Sequence, residues 1–173
     1  MRIRKPKNIR EFVGFIYAHY RDDREWIPPL RSEQKKLFDP RKNNTLQHYE
    51  YELLIAEENN KIAGRVAVFI DPHYNEYWQQ KTGFFGSFEC VNNPQISKQL
   101  LDYCKEWLRQ RGMQHMRGPI SFESQNWGLV YENITSANRP RIMSPYNPHY
   151  YNDLLSEYGM KKIKDLQTDD LGL

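Results

Sequence analysis

No apolar run in the 173 residues approaches the roughly 20 needed to cross a bilayer. The charged start leads into a short amphipathic segment, which is not the pattern of a secretory signal. Cysteine is scarce. Cys90 and Cys104 are the only two, too few for a disulfide framework. The five histidines, His19, His48, His73, His115 and His149, show no metal-ligand spacing, so no metal site is expected. Repeats and low-complexity tracts are absent. Charge of one sign is also lacking, and the net +3 is too small to argue for nucleic acid. Arg2, Arg4, Lys5, Lys7 and Arg10 have no acid among them, and they read as a solvated start to the domain. These absences lead to the expectation of a cytoplasmic protein with neither a membrane nor a nucleic-acid partner.

What is present is aromatic. Phe, Trp and Tyr make up 14% of the chain, 12 of them Tyr. The length suits a single domain, residues 1–173, with a sizeable core. The stretch Gly83–Gly112 organises it. Phe84–Cys90 is short, aromatic and nearly uncharged, as a buried strand is. Asn93 offers an N-cap and Pro94 suits the first helical position. Ile96, Leu100, Leu101, Cys104, Trp107 and Leu108 then form one apolar helix face, and Gly112 supplies a left-handed stop. A strand that ends at a helix N-terminus is a ready anion site, because first-turn amides lack partners and the helix dipole is positive there.

Around this junction the chain reads as follows. Residues 2–6 suggest a first strand. Asn8 and Glu11 have capping-box spacing and open a helix that carries Phe12, Val13, Phe15, Ile16 and Tyr20 on one face. The prolines of Trp26-Ile27-Pro28-Pro29-Leu30 exclude regular helix, and a second helix is expected over 32–38. Tyr51–Glu57 and Lys61–Ile70 read as strands joined by a hairpin at Asn59-Asn60. A loop follows over 71–82, then the Gly83–Cys90 strand. Met113–Arg117 is a strand parallel to it after a right-handed crossover. A short strand over 127–131, a helix over 149–158 started by Asn147-Pro148, and a last strand over 161–167 complete the reading.

Specific pieces carry a resemblance. They are Trp26-Ile27-Pro28-Pro29-Leu30, Gly64-Arg65, Asn75, Gly83-Phe84-Phe85-Gly86 with Phe88-Glu89, Trp107-Leu108 with Arg111-Gly112-Met113, Gly118-Pro119, Tyr146-Asn147-Pro148 with Tyr150-Tyr151, and Asp165-Leu166. In order and spread over nearly the whole chain, they resemble a bacterial family of GNAT-like (GCN5-related N-acetyltransferase) proteins of the YghO type. The resemblance implies an α/β (α+β) fold, with a mixed, mostly antiparallel sheet flanked by helices. Proteins of that family usually continue past the Asp-Leu pair, which implies either a short member of the family or the N-terminal domain of a longer protein.

The resemblance also implies chemistry. Acetyl-CoA or another acyl-CoA would lie with its pantetheine on Phe88–Cys90 and its pyrophosphate on the amides of Val91, Asn92, Asn93, Gln95 and Ile96. This chain departs from the family there. The usual loop uses glycine to let backbone approach phosphate, whereas Asn92-Asn93-Pro94-Gln95-Ile96 has none, and Pro94 removes an amide. Glu89 is the candidate general base, with a solvated strand position or a pairing with Arg65 as the alternatives. Tyr150 and Tyr151 are candidates for the acid that reprotonates a leaving thiolate, with Tyr151 preferred and aromatic packing as the alternative. Cys90 is either a packed thiol or a nucleophile activated by the helix N-terminus. Tyr74, Asn75, Asn126 and Trp127 are candidates to line an acceptor pocket or a partner surface.

Three functions follow as expectations. The first is acyl transfer from acyl-CoA to a small-molecule amine by direct attack. The second is a non-catalytic GNAT-like module that binds a ligand or partner. The third is aminoacyl transfer, which needs a second domain.

Overall fold

The computed structural model describes residues 1–122, 128–130 and 145–165. Its elements run β1 (Arg2–Arg4), α1 (Ile9–His19), α2 (Arg31–Leu37), a 3-10 turn (Asn44–Gln47), β2 (Glu50–Glu58), β3 (Lys61–Ile70), α3 (Pro72–Trp78), β4 (Thr82–Cys90), α4 (Pro94–Gln110), β5 (His115–Arg117) and α5 (Tyr150–Glu157). The sheet order is β1-β2-β3-β4-β5. The first four strands are antiparallel neighbours, and β5 pairs parallel with β4 through Thr82–His115, Gly83–Met116 and Phe84–Arg117. The expected hairpin lies at Asn59-Asn60, both with positive φ.

Strand alternation gives the sheet two covered faces. Leu54, Ala56, Val66, Val68 and Phe85 join Ile96, Leu100, Leu101, Cys104 and Trp107 of α4 in one core. Leu53, Ile55, Ala67, Phe69 and Phe84 join Phe12 and Val13 of α1 in the other. The caps read from sequence are in place. Asn8 Oδ1 accepts from the Glu11 amide, and Asn93 Oδ1 accepts from the Gln95 amide.

Several expectations change. The loop expected over 71–82 contains α3, because Asp71 caps it, accepting from the Tyr74 amide, and Pro72 sits in its first turn. Asn147-Pro148 does not cap the last helix. α5 begins at Tyr150 without a side-chain cap, while Asn147 Oδ1 accepts from the Val130 amide. The first strand stops at Arg4, and β5 is confined to His115–Arg117. Residues 161–165 are not strand, and neither are 128–130. The remainder of those two expected strands lies outside the described residues, as do the candidates Asn126 and Trp127.

Asn75 shows what the α3 correction means for its role. Its side-chain amide donates to the Thr82 carbonyl and accepts from the Thr82 amide, both at 2.9 Å. One side chain thus satisfies both backbone groups of a fully buried residue at the start of β4. Asn75→Leu orphans both, at about 1–3 kcal/mol for each unsatisfied group. A urea midpoint unchanged by the substitution would contradict this role.

Candidate active site at the end of the central strand

Glu89 owes its position to an irregularity in β4. The register with β3 runs Phe84–Phe69, Phe85–Val68 and Gly86–Ala67, and resumes at Glu89–Arg65 and Cys90–Gly64. Three steps along β4 therefore match two along β3, and Ser87 takes a positive φ. This is a β-bulge, which shifts the alternation by one residue. Phe88 and Cys90 consequently join the α4-side core, and Glu89 turns to the α1 side beside Arg65. Without the bulge a carboxylate would point into Leu100 and Ile96.

Glu89 meets partners from three parts of the fold. Its Oε2 accepts from the hydroxyl of Tyr20, the residue that caps the C-terminus of α1, at 2.7 Å and from the Tyr151 hydroxyl of α5 at 2.9 Å. Its Oε1 lies 3.8 Å from Nη2 of Arg65 on β3. The carboxylate side chain keeps 15% exposure and Arg65 only 5%. Arg65 Nη1 donates to the Phe12 carbonyl, the guanidinium lies 4.9 Å from the Phe12 ring centroid, and its Nε has no hydrogen-bond partner among the described residues. Burial raises the Glu89 pKa above the ordinary glutamate value, against the pull of Arg65 and of the two phenols. Burial lowers that of Arg65, against the pull of Glu89. Burial and the Glu89 charge hold the Tyr20 and Tyr151 phenols far above the usual tyrosine range, so both remain hydrogen-bond donors.

Because β5 pairs only with Thr82–Phe84, the far half of β4 is open at its edge, and α5 fills that opening. The Cys90 amide donates to the Tyr151 hydroxyl at 2.8 Å, and the Tyr150 hydroxyl donates to the Cys90 carbonyl at 2.8 Å. His19 Nε2 lies 3.0 Å from the Tyr151 oxygen and 3.3 Å from that of Tyr150. Cys90 is fully buried. Burial and the neighbouring Glu89 charge push its thiol up to about 12, so it is a packed thiol rather than an activated one.

A cavity of about 180 Å³ opens beside this cluster, lined by Gln34, Arg65, Glu89, Ile120, Leu129 and Tyr146 among others. Its wall needs Gly86, where a Cβ would stand 1.7 Å from the Ile120 carbonyl oxygen. Tyr74 and Asn75 are not brought to it. The Tyr74 hydroxyl accepts from Arg117 and its ring packs edge-on against Phe84. That is the opposite end of β4, roughly 20 Å from Glu89 at the usual strand rise.

The segment after β4 was expected to cradle a pyrophosphate, and its amides test that. The Val91 amide donates to the Ala63 carbonyl, Asn93 to the Val91 carbonyl, and Ser97 to the Asn93 carbonyl. The Gln95 amide is taken by the Asn93 side chain, and Pro94 has none. The amides of Asn92 and Ile96 are all that remain between 91 and 97. The Cys90 amide and carbonyl, where pantetheine would pair, are held by the α5 tyrosines. These residues do not fit coenzyme A as a preformed cradle.

Tyr20 and His19 were not among the sequence candidates. Tyr20 did carry a signal: it lies four residues after Ile16 on the apolar face of α1, and a phenol buried there needs a partner. His19 carried none.

No family model matches this chain. It is 29% identical over 160 residues to Protein YghO of Escherichia coli K12, covering 92% of this chain and 40% of that protein. It is 25% identical over 175 residues to a bacterial ceramide synthase of Caulobacter vibrioides, covering 98% and 45%. The chain thus spans less than half the length of these curated relatives. Among solved structures, a predicted acetyltransferase with acetyl-CoA from Clostridium acetobutylicum superposes with a TM-score of 0.55 at 16% identity, covering 98% of this chain and 94% of that one. The chain therefore has the GNAT acetyltransferase fold and is similar over nearly its whole length to YghO.

Proposed function

We propose that this chain provides the acceptor side of an amine N-acylation site, with Glu89 as general base. The observation that carries this is Glu89 itself: a buried carboxylate with a raised pKa, oriented by two phenols and a guanidinium, at the wall of a cavity. Glu89 takes the proton that an amine must lose as it attacks an acyl thioester. Tyr20 and Tyr151 hold the carboxylate in place. Arg65 keeps it from drifting into the core and presents positive charge to any oxygen borne next to the amine. Tyr151 stays protonated and acts on Glu89 rather than on a leaving thiolate.

The cavity volume, at about 30 Å³ per water, is that of roughly six waters, enough for a small polar head. Beyond it, Ile27 and Leu30 are exposed at 67% and 70% in the loop before α2, whose Gln34 and Leu37 line the cavity. An acceptor with a small aminated head and an apolar body suits both features. A ceramide is an amide, and the relative named as a bacterial ceramide synthase supports the same acceptor class.

Calorimetry with long-chain amino alcohols tests the acceptor. Saturable binding is expected for the native sequence and much weaker binding for Glu89→Gln. Equal binding by both would contradict the assignment.

A second reading, a binding module without catalysis, is favoured by the committed amides of residues 91–97. That commitment makes its own prediction. Acetyl-CoA produces no saturable heat at the β4–α4 junction, and Asn93→Asp, which still caps α4, leaves stability within about 0.5 kcal/mol. Tight acetyl-CoA binding lost in Asn93→Asp would restore the phosphate cradle.

A further inference from the structure

The hydrogen bonds around Tyr151 leave a single consistent assignment of protons. The Tyr151 hydroxyl has one proton, which it donates to Glu89 Oε2, while its oxygen already accepts from the Cys90 amide. The Tyr150 proton goes to the Cys90 carbonyl. Neither phenol has a proton left for His19, yet His19 Nε2 lies 3.0 and 3.3 Å from their oxygens. With Glu89 ionised, His19 must therefore carry its proton on Nε2 and donate it.

We infer that His19 is the outlet for the proton that Glu89 collects, reached through the Tyr151 hydroxyl. The inference rests on the proposed role of Glu89 as base. The base must shed its proton before the next turnover, and on the side of Glu89 away from Arg65, among the described residues, the Tyr151 hydroxyl and His19 Nε2 form a chain of groups leading away from it. Once Glu89 is protonated, its O–H donates to the Tyr151 oxygen, and the Tyr151 hydroxyl turns to donate to a bare Nε2, with His19 now in the Nδ1–H form. The Glu89 proton then passes to Tyr151 as the Tyr151 proton passes to Nε2. This leaves a carboxylate, a neutral phenol and an imidazolium. Loss of the Nδ1 proton to water restores the starting state, with His19 protonated on Nε2. No electrons change hands and one proton leaves for each amine acylated.

The surroundings suit a relay. His19 is half-buried and stacks on Phe15. Burial, together with the Arg65 charge, lowers its pKa to about 4, so it carries the extra proton only transiently. Among the described residues, the groups facing Glu89 are Arg65 from β3, Tyr20 at the end of α1, and Tyr150 and Tyr151 from α5, with the neutral Cys90 thiol beside it on β4. None of them competes as a carrier, since the phenols and the thiol are all pushed upward.

Nitrogen NMR of the histidine-labelled 173-residue chain reads the tautomer directly. The expected result is Nε2–H at neutral pH, converting to Nδ1–H as the pH falls through the Glu89 carboxyl titration, with the same midpoint as the Glu89 carboxyl carbon signal. In Tyr151→Phe the two signals should no longer move together. An Nδ1–H form at neutral pH, or a tautomer indifferent to Glu89, would overturn the inference. Kinetics add a readout that a packing role would not move. His19→Gln still donates to Tyr151 but cannot pass a proton. It should lower kcat roughly 10²-fold, the low end for lost proton transfer, leave KM in place, and be rescued by added imidazole. A loss of turnover that imidazole does not restore would likewise count against the relay. Failure of every amine to react would instead overturn the acylation reading, and the tautomer measurement would still decide the wire.

Discussion

Glu89→Gln should lower amide formation by 10²–10⁴-fold, roughly 3–5 kcal/mol of barrier, while the chain stays folded. Gln keeps the shape and still accepts from Tyr20 and Tyr151, but it cannot take the proton of an ammonium. The choice of variant matters because of the two phenols. Both Gln and Ala remove the counter-charge of Arg65, but Glu89→Ala would also leave the buried Tyr20 and Tyr151 hydroxyls without their acceptor, at about 1–3 kcal/mol each, a loss of stability that would mask any catalytic effect. The measurement is kcat with an accepted amine, alongside a denaturation midpoint for each variant. A Glu89→Gln rate within a few-fold of the native one, at equal stability, would remove Glu89 from the chemistry. The native rate should also rise with pH through the raised Glu89 pKa, since the base works only when ionised.

Trp107→Ala should cost about 3–5 kcal/mol, the usual range for a buried aromatic. Trp107 is 5% exposed and lies in the α4-side core with Leu100, Leu101, Cys104 and Leu108. Its Nε1 also donates to Glu52 at 3.2 Å, and the Arg111 guanidinium stacks on its outer face at 3.7 Å. Truncation thus opens a cavity under the sheet, removes a donor from a half-buried carboxylate on β2, and frees Arg111. Urea unfolding followed by circular dichroism measures the loss. A change below about 1 kcal/mol would mean that α4 is not seated as described.

The scaffold around Glu89 was legible in sequence because local signals agreed. The Asn8 and Asn93 caps, the Asn59-Asn60 turn and the three- and four-residue spacing along α4 each point to one structure, and they give the sheet order with β5 parallel to β4. The α3 helix was missed although Asp71-Pro72 is a helix start, because the polar, aromatic segment that follows shows no apolar face. The site was half legible. Glu89, Cys90, Tyr150 and Tyr151 were recognised as belonging to one junction. What they do there depends on the bulge at Ser87, which no local residue announces and which decides the face on which Glu89 lies. His19 is brought to Tyr151 by packing between α1 and α5, across 132 residues of sequence. Tyr74 and Asn75 looked like pocket residues because they are polar and aromatic, but their partners at Thr82 and Phe84 make them part of the frame.

The most direct test of the central claim is a search for the product. The native chain is incubated with an acyl thioester and a long-chain amino alcohol, and the mixture is analysed by mass spectrometry for the N-acyl amide. With the thioester in large excess, because the residues after β4 offer it no preformed cradle, amide is expected from the native chain and almost none from Glu89→Gln. A folded native chain that binds the amine and forms no amide, or a Glu89→Gln variant that forms it equally well, would contradict the account.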